Sequence, residues 1–222
     1  MQRWMAVRPE AHGRRPPPRF YIVTETVDDA GFLTRALDAA LGSADVAAVL
    51  LRLPGGDERS LIRQVKAVAP AVQSRDCALL LADRADLVAR SGADGAHLRG
   101  AEAFKAALEF LKPNWIAGAG DLHTRHDAML AGEAGADYLM FGEPDAEGHR
   151  PAFSAVLDRV EWWSEVFETP CVGFAADLDE VEPLAARGAE FVALGEFVWR
   201  DPRGPAAVVR AAAERVSCSE LM

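Results

Sequence analysis

Residues 91–98, Ser91-Gly92-Ala93-Asp94-Gly95-Ala96-His97-Leu98, compress a helix end, a glycine cap, an acid and an apolar strand into one short stretch. The pattern returns at Ala134-Gly135-Ala136-Asp137-Tyr138-Leu139 and at Arg187-Gly188-Ala189-Glu190-Phe191-Val192. In each copy the glycine supplies the left-handed conformation that ends a helix, and the chain turns directly into a strand. The glycines are 43 and 53 residues apart, too irregular for a solenoid and consistent with single βα units carrying loops of different length.

Working outward, short apolar runs alternate with segments of helical periodicity. The runs Phe20–Thr24, Val46–Arg52, Ala78–Ala82, Gly95–Leu98, Trp115–Gly118, Asp137–Gly142, Cys171–Ala175 and Glu190–Gly195 predict eight strands. Several are apolar throughout, the mark of strands covered on both faces. Helices are predicted at about residues 29–41, 58–73, 84–91, 101–111, 124–134, 151–167, 178–187 and 204–216. Eight of each predicts a single (β/α)8 TIM barrel of the α/β class, here at residues 20–222. The competing open, doubly wound sheet would place a glycine-rich phosphate loop after its first strand, and Thr24-Glu25-Thr26-Val27-Asp28-Asp29 is not one. Residues 1–19, with a basic run and three consecutive prolines, read as a flexible arm.

Net charge is −10, and the arm holds five arginines against one glutamate, so the barrel carries 19 basic against 33 acidic residues, a net of −14. This argues against a nucleic-acid partner. The absence of a long apolar run argues against a membrane span, and the expected setting is cytoplasmic. Cys77, Cys171 and Cys218 are too dispersed for a zinc site or a disulfide framework and are read as reduced, with Cys171 in the core.

In such a barrel chemistry sits where strands end and helices begin. The residues there are Glu25, Arg52, Asp83 with Arg84, His97 with Arg99, Asp121 with His123, Glu143 with Asp145, Asp177, and Glu196. The set predicts an acidic mouth suited to a metal ion or a cationic ligand. Singly, Asp83 and Asp177 read equally well as helix N-caps, and His97 as a core histidine hydrogen-bonded to backbone. The three lysines, Lys66, Lys105 and Lys112, all fall in helices, so no lysine at a strand end is available for a Schiff base. No G-x-S-x-G nucleophile is present. Trp162-Trp163 with Phe167 read either as helix-to-barrel core or as an exposed face supporting a homodimer.

Tyr21-Ile22-Val23-Thr24, Leu80-Leu81-Ala82-Asp83-Arg84-Ala85-Asp86-Leu87-Val88-Ala89, Gly92-Ala93-Asp94-Gly95-Ala96-His97-Leu98 and Gly135-Ala136-Asp137-Tyr138 together resemble the thiamine-phosphate synthase family, which includes the thiazole tautomerases. The resemblance runs from about residue 20 to 215. It implies coupling of a hydroxymethylpyrimidine diphosphate to a thiazole phosphate with release of pyrophosphate, assisted by Mg²⁺. Carried over by position, Arg52 remains from Gln-x-Arg-x-Lys, Asp83 holds the place of one magnesium ligand, and Glu102 stands for the second.

Other family positions differ. Arg99-Gly100 replaces Gly-Gln, Asp121 replaces a serine, the Thr-x-Thr-Lys loop has no counterpart in residues 143–150, and the seventh strand's Gly-Gly is Ala175-Ala176 ahead of Asp177. A tautomerase would carry histidine where Glu143 follows Phe141-Gly142. The expected catalytic groups are Arg52, His123 and Glu143. Expected substrate contacts are Arg52, His97, Arg99, Asp177 and Glu196, and the expected metal ligands are Asp83 and Glu102. The changes predict weak or altered synthase activity. The alternative is a diverged barrel that binds or transforms a neutral or cationic ligand.

Overall fold

The computed structural model describes residues 16–26 and 29–219. Strands β1 (Arg19–Val23), β2 (Val46–Leu51), β3 (Ala78–Ala82), β4 (Gly95–Arg99), β5 (Ile116–Gly120), β6 (Tyr138–Phe141), β7 (Cys171–Ala175) and β8 (Phe191–Leu194) close in chain order into a parallel barrel. Around it lie α1 (Ala30–Leu41), α2 (Glu58–Gln73), α3 (Ala85–Ser91), α4 (Ala101–Leu111), α5 (Arg125–Glu133), α6 (Phe153–Val166), α7 (Val181–Ala186), α8 (Phe197–Arg200) and α9 (Pro205–Ser219). The architecture is the expected TIM barrel. No described helix is long and apolar enough to cross a membrane.

Strand alternation builds two apolar layers. Tyr21, Val23, Leu50, Leu80, Tyr138, Met140 and Phe174 fill the barrel interior, while Ile22, Val49, Leu51, Leu79, Leu81 and Leu139 face the helices. Helix starts are fixed by side-chain caps: Asp29 accepts from the N–H groups of Gly31 and Phe32, Asp57 from that of Ser60, and Thr124 forms a reciprocal capping box with Asp127.

The repeated glycine–acid signature has a clear structural role. Gly92, Gly135 and Gly188 have φ of 82°, 95° and 88°, the left-handed region open to glycine. The acid two residues later then reaches back to the preceding strand. Asp94 accepts from the N–H of Leu79 at 2.8 Å, Asp137 from Ala117 at 2.7 Å, and Glu190 from Cys171 at 2.9 Å. One backbone donor near the start of each of β3, β5 and β7 is thereby satisfied.

Three local expectations are corrected. The predicted helix 178–187 divides into a 3-10 turn, Leu178–Glu180, followed by α7. The short α8 was not expected. Residues 1–15 of the arm lie outside the described residues, and its last residue, Arg19, already belongs to β1, where it pairs with Asp45 at 2.9 Å. Cys77 and Cys171 are buried thiols outside any disulfide among the described residues, whereas the side chain of Cys218 is not described. The aromatic group follows the core reading: Trp163 is fully buried, donates to the carbonyl of Thr169 at 2.7 Å and stacks on Phe167 at 4.0 Å.

Candidate active site

The C-terminal ends of the strands surround two main recesses. One, of about 540 Å³, opens over β2, β3, β4 and β6 and includes Arg52, Asp83, Arg84, His97, Arg99 and Glu143 in its wall. The other, of about 610 Å³, lies over β7 and β8 and brings Asp177, Asp179, Glu196 and Asp201 together with Arg200. Glu196 borders both.

At the floor of the first recess is a buried chain of polar groups. The Tyr21 and Tyr138 hydroxyls are 2.8 Å apart, Tyr138 Oη lies 3.0 Å from His97 Nδ1, and His97 Nε2 lies 3.1 and 3.2 Å from the two oxygens of Glu143. Proton accounting sets its direction. Tyr138 is the one described hydrogen-bond partner of the buried Tyr21 hydroxyl, so Tyr21 must donate if its proton is not to be stranded. His97 thus faces Tyr138 through Nδ1 and Glu143 through Nε2. Burial pushes both tyrosine hydroxyls well above their ordinary pKa, so they remain donors. His97 therefore binds side chains, not backbone as the core-histidine reading expected.

Glycine makes this chain possible. A Cβ on Gly118 would stand 2.1 Å from Tyr138 Cζ, and one on Gly120 would stand 1.7 Å from Glu143 Oε1 and 2.5 Å from His97 Nε2. The alternation Ala117-Gly118-Ala119-Gly120 on β5 thus leaves its inward positions empty for side chains from β4 and β6. Sequence reasoning passed over Tyr21, Tyr138 and both glycines. The available signal was the coincidence of inward-facing tyrosines with inward-facing glycines.

Above the floor, acids and arginines are paired. Arg52 Nη1 lies 2.9 Å from Glu196 Oε1, and the Arg52 N–H donates to the buried Thr24 hydroxyl at 3.0 Å. Glu196 is shared with Arg200, which also binds Glu25 at 3.0 Å. Arg84 grips Asp86 through Nε and Nη2. Arg150, which the sequence reading left without a role, donates to the carbonyls of Gly142 and Phe174 and to Glu180, tying β6 to β7. The acidic mouth is thus corrected to an ion-paired one with two halves: over β2–β4 the arginines themselves line the recess, whereas over β7–β8 Asp179 and Asp201 pair with Arg215 and Arg203, which do not line it.

Individual predicted residues fall as follows. Asp83 does not cap α3, whose cap position is Arg84 with no side-chain cap bond. Asp83 instead adopts a φ of 53° and accepts from Arg99. Burial opposes the charge of Arg99, but the Asp83 hydrogen bond and the neighbouring Glu143 and Asp121 outweigh it and hold its pKa above the usual value. Asp177 does cap, accepting from the N–H groups of Asp179 and Glu180. His123 is 73% exposed, 3.5 Å from Asp121, and meets Glu143 only as a wall of a smaller recess of about 210 Å³.

Glu102 sits in the first turn of α4 with its side chain 89% exposed, paired with Lys105. It does not join Asp83, both of whose oxygens are occupied by Arg99. No cluster of three or more metal-ligating side chains occurs among the described residues. Asp83 and Glu102 therefore do not converge on one metal position.

The thiamine monophosphate synthase family model matches residues 20–198. Thiamine-phosphate synthase of Rhodospirillum centenum is 39% identical over 194 residues, 86% of this chain and 94% of that protein. The enzyme of the same name from Hyphomonas neptunium is 36% identical over 208 residues, 89% and 93% of the two chains. Thiamine phosphate pyrophosphorylase from Pyrococcus furiosus superposes with a TM-score of 0.74 over 90% of this chain and 95% of that one, at 20% identity, a likeness of fold. On the family model's match to most of the chain and on relatives up to 39% identical over nearly their whole length, the chain belongs to the thiamine monophosphate synthase family.

Proposed function

We propose that this barrel couples a hydroxymethylpyrimidine diphosphate to a thiazole phosphate with release of pyrophosphate, and that it does so weakly. The observation that carries the reading is the convergence of Arg52, Arg84 and Arg99 on one recess whose floor holds the His97–Glu143 pair. In the coupling, the bond between the pyrimidine methylene carbon and the diphosphate oxygen breaks, and its electron pair leaves on pyrophosphate. The thiazole nitrogen lone pair forms the new C–N bond. Guanidinium groups suit the charge that develops on the leaving group, since their forked donors match phosphate oxygens. The pyrimidine ring would rest on Leu50 and Ala82, with Glu143 accepting from its N–H edge.

The weakness follows from the other half of the mouth. A phosphate over β7 and β8 would meet Asp177 beside Glu196, Asp179 and Asp201, the last three each paired with an arginine, and a like-charge unit pair left uncompensated at about 4 Å with an effective dielectric near 20 costs roughly 4 kcal/mol. The same observation supports a second reading, in which the thiazole-side partner is neutral or cationic and enters without a phosphate.

The test is pyrophosphate release by purified protein given the pyrimidine diphosphate and Mg²⁺, with thiazole phosphate or the thiazole alcohol as acceptor. Slow turnover that falls about 100-fold or more in Arg52→Ala is expected. Preference for the alcohol would favour the second reading. No turnover with either acceptor, from folded protein, would discard the coupling reaction.

A further inference from the structure

On the footing of that coupling reading, we propose that the Arg99 guanidinium occupies the place a divalent cation would take between Asp83 and the diphosphate, so that diphosphate binding does not require metal. Arg99 is the last residue of β4 and continues its inward alternation after Gly95 and His97. Its Nε and Nη2 reach Asp83 Oδ2 at 2.8 and 2.7 Å, and its backbone N–H reaches Oδ1 at 3.0 Å. Asp83 is itself fixed from β4, since its N–H donates to the His97 carbonyl at 2.9 Å. The acid is therefore aimed at the arginine by the backbone of the same strand that carries the arginine.

A magnesium ion on Asp83 would have to displace this fork and then sit beside a permanent positive charge. Mg²⁺ demands near-ideal octahedral oxygen coordination, and Glu102, the second expected donor, is turned to solvent with Lys105. Meanwhile Nη1 of Arg99 has no hydrogen-bond partner among the described residues, and the residue lines the 540 Å³ recess with Arg52 and Arg84. Asp83 orients the guanidinium edge-on, leaving the opposite edge for phosphate oxygens. One guanidinium carries half the charge of a divalent ion, so all three arginines share the diphosphate. In this arrangement Asp83 is a positioning residue for Arg99.

The experiment measures binding of inorganic pyrophosphate by calorimetry, in EDTA and in excess Mg²⁺. The expected result is a Kd that differs by less than about twofold between the two conditions, a loss of about tenfold or more in Arg99→Leu, and a smaller loss in Arg99→Lys, which keeps the charge but not the fork. Asp83→Asn, which loosens the guanidinium without removing it, is expected to weaken binding by about threefold to tenfold, to the same extent in EDTA and in Mg²⁺. Binding by the unaltered chain that weakens about tenfold or more in EDTA, or an Asp83→Asn loss that is seen in Mg²⁺ and not in EDTA, would overturn the substitution of arginine for metal while leaving the coupling reading in place. No pyrophosphate binding by folded protein in either condition would overturn both. The comparison of conditions on the unaltered chain stands even if an Arg99 variant fails to fold.

Discussion

Substituting Gly120 by alanine tests whether the floor of the site depends on an empty position on β5. The added Cβ would lie 1.7 Å from Glu143 Oε1 and 2.5 Å from His97 Nε2, so the carboxylate must leave its place. Glu143 is 6% exposed and His97 1%, which leaves little room to re-form their contact. Overpacking of this kind costs about 1–3 kcal/mol, and losing a buried hydrogen bond to a charged group adds about 1.5–3 kcal/mol. A total near 4 kcal/mol corresponds to a fall of roughly 8–16 °C in Tm for a chain of this size. Urea denaturation and a thermal melt measure it. Gly55→Ala is the control, because a Cβ there meets nothing within 4 Å, and a change within about 0.5 kcal/mol is expected. Combining Gly120→Ala with Glu143→Ala removes the nearest clashing atom, so the double variant should lose at least about 1 kcal/mol less than the sum of the singles. A Gly120→Ala protein melting within about 2 °C of the parent would refute the claim that this glycine is required for the His97–Glu143 contact.

Two further predictions concern the interior and the bottom of the barrel. Tyr21 and Tyr138 are the chain's only tyrosines, and burial raises the pKa of both above the ordinary value of 10.0. Above pH 10 the unfolded chain therefore binds fewer protons than the folded one, and stability falls as pH rises. Tyrosinate absorbance should stay flat past pH 10 and then appear in one step together with loss of circular dichroism; gradual titration centred on pH 10 in folded protein would contradict the buried pair. At the bottom, Asp137→Ala strands the Ala117 N–H that now donates to it at 2.7 Å and should cost about 1–3 kcal/mol in urea denaturation. Asp137→Asn keeps an acceptor and should cost less, and equal losses would mean that the Lys112 ion pair matters more than the strand contact.

The barrel was legible because its signals are local. A glycine in the left-handed conformation, an acid and an apolar run fall within a few residues of one another at 92–96, 135–139 and 188–192, and each marks a boundary without reference to the rest of the chain. The site was legible only as a roll of strand-end residues, because its meaning lies in partners distant in sequence. His97 and Glu143 are 46 residues apart, Arg52 and Glu196 are 144 apart, and Asp83 meets Arg99 across 16. Nothing near Asp83 in sequence distinguishes a helix cap or a metal ligand from an acid that holds an arginine. The four-residue α8 was missed for a related reason: Trp199 anchors it by donating to the carbonyl of Val23 at 2.7 Å, across 176 positions.

Carboxylates serve opposite ends of this barrel in different ways, and the difference bears on what the mouth can bind. At the N-terminal ends of the strands, Asp94, Asp137 and Glu190 accept backbone N–H groups from the preceding strand, so their charge is spent within the scaffold. At the C-terminal ends over β2–β4, Asp83 and Glu196 accept from arginines, and a guanidinium has five N–H donors, more than one carboxylate contact uses. An acid placed there fixes the direction of an arginine while leaving donors available for a phosphate. Over β7 and β8 the arginines that pair with Asp179 and Asp201, Arg215 and Arg203, do not line the recess, and Arg200 is the one arginine among its lining residues. A formal count of acids at the strand ends treats these situations alike. Their pairing separates a half-site suited to diphosphate from one that disfavours it, which is why acceptor preference, more than overall activity, is the measurement that discriminates between the two readings of function.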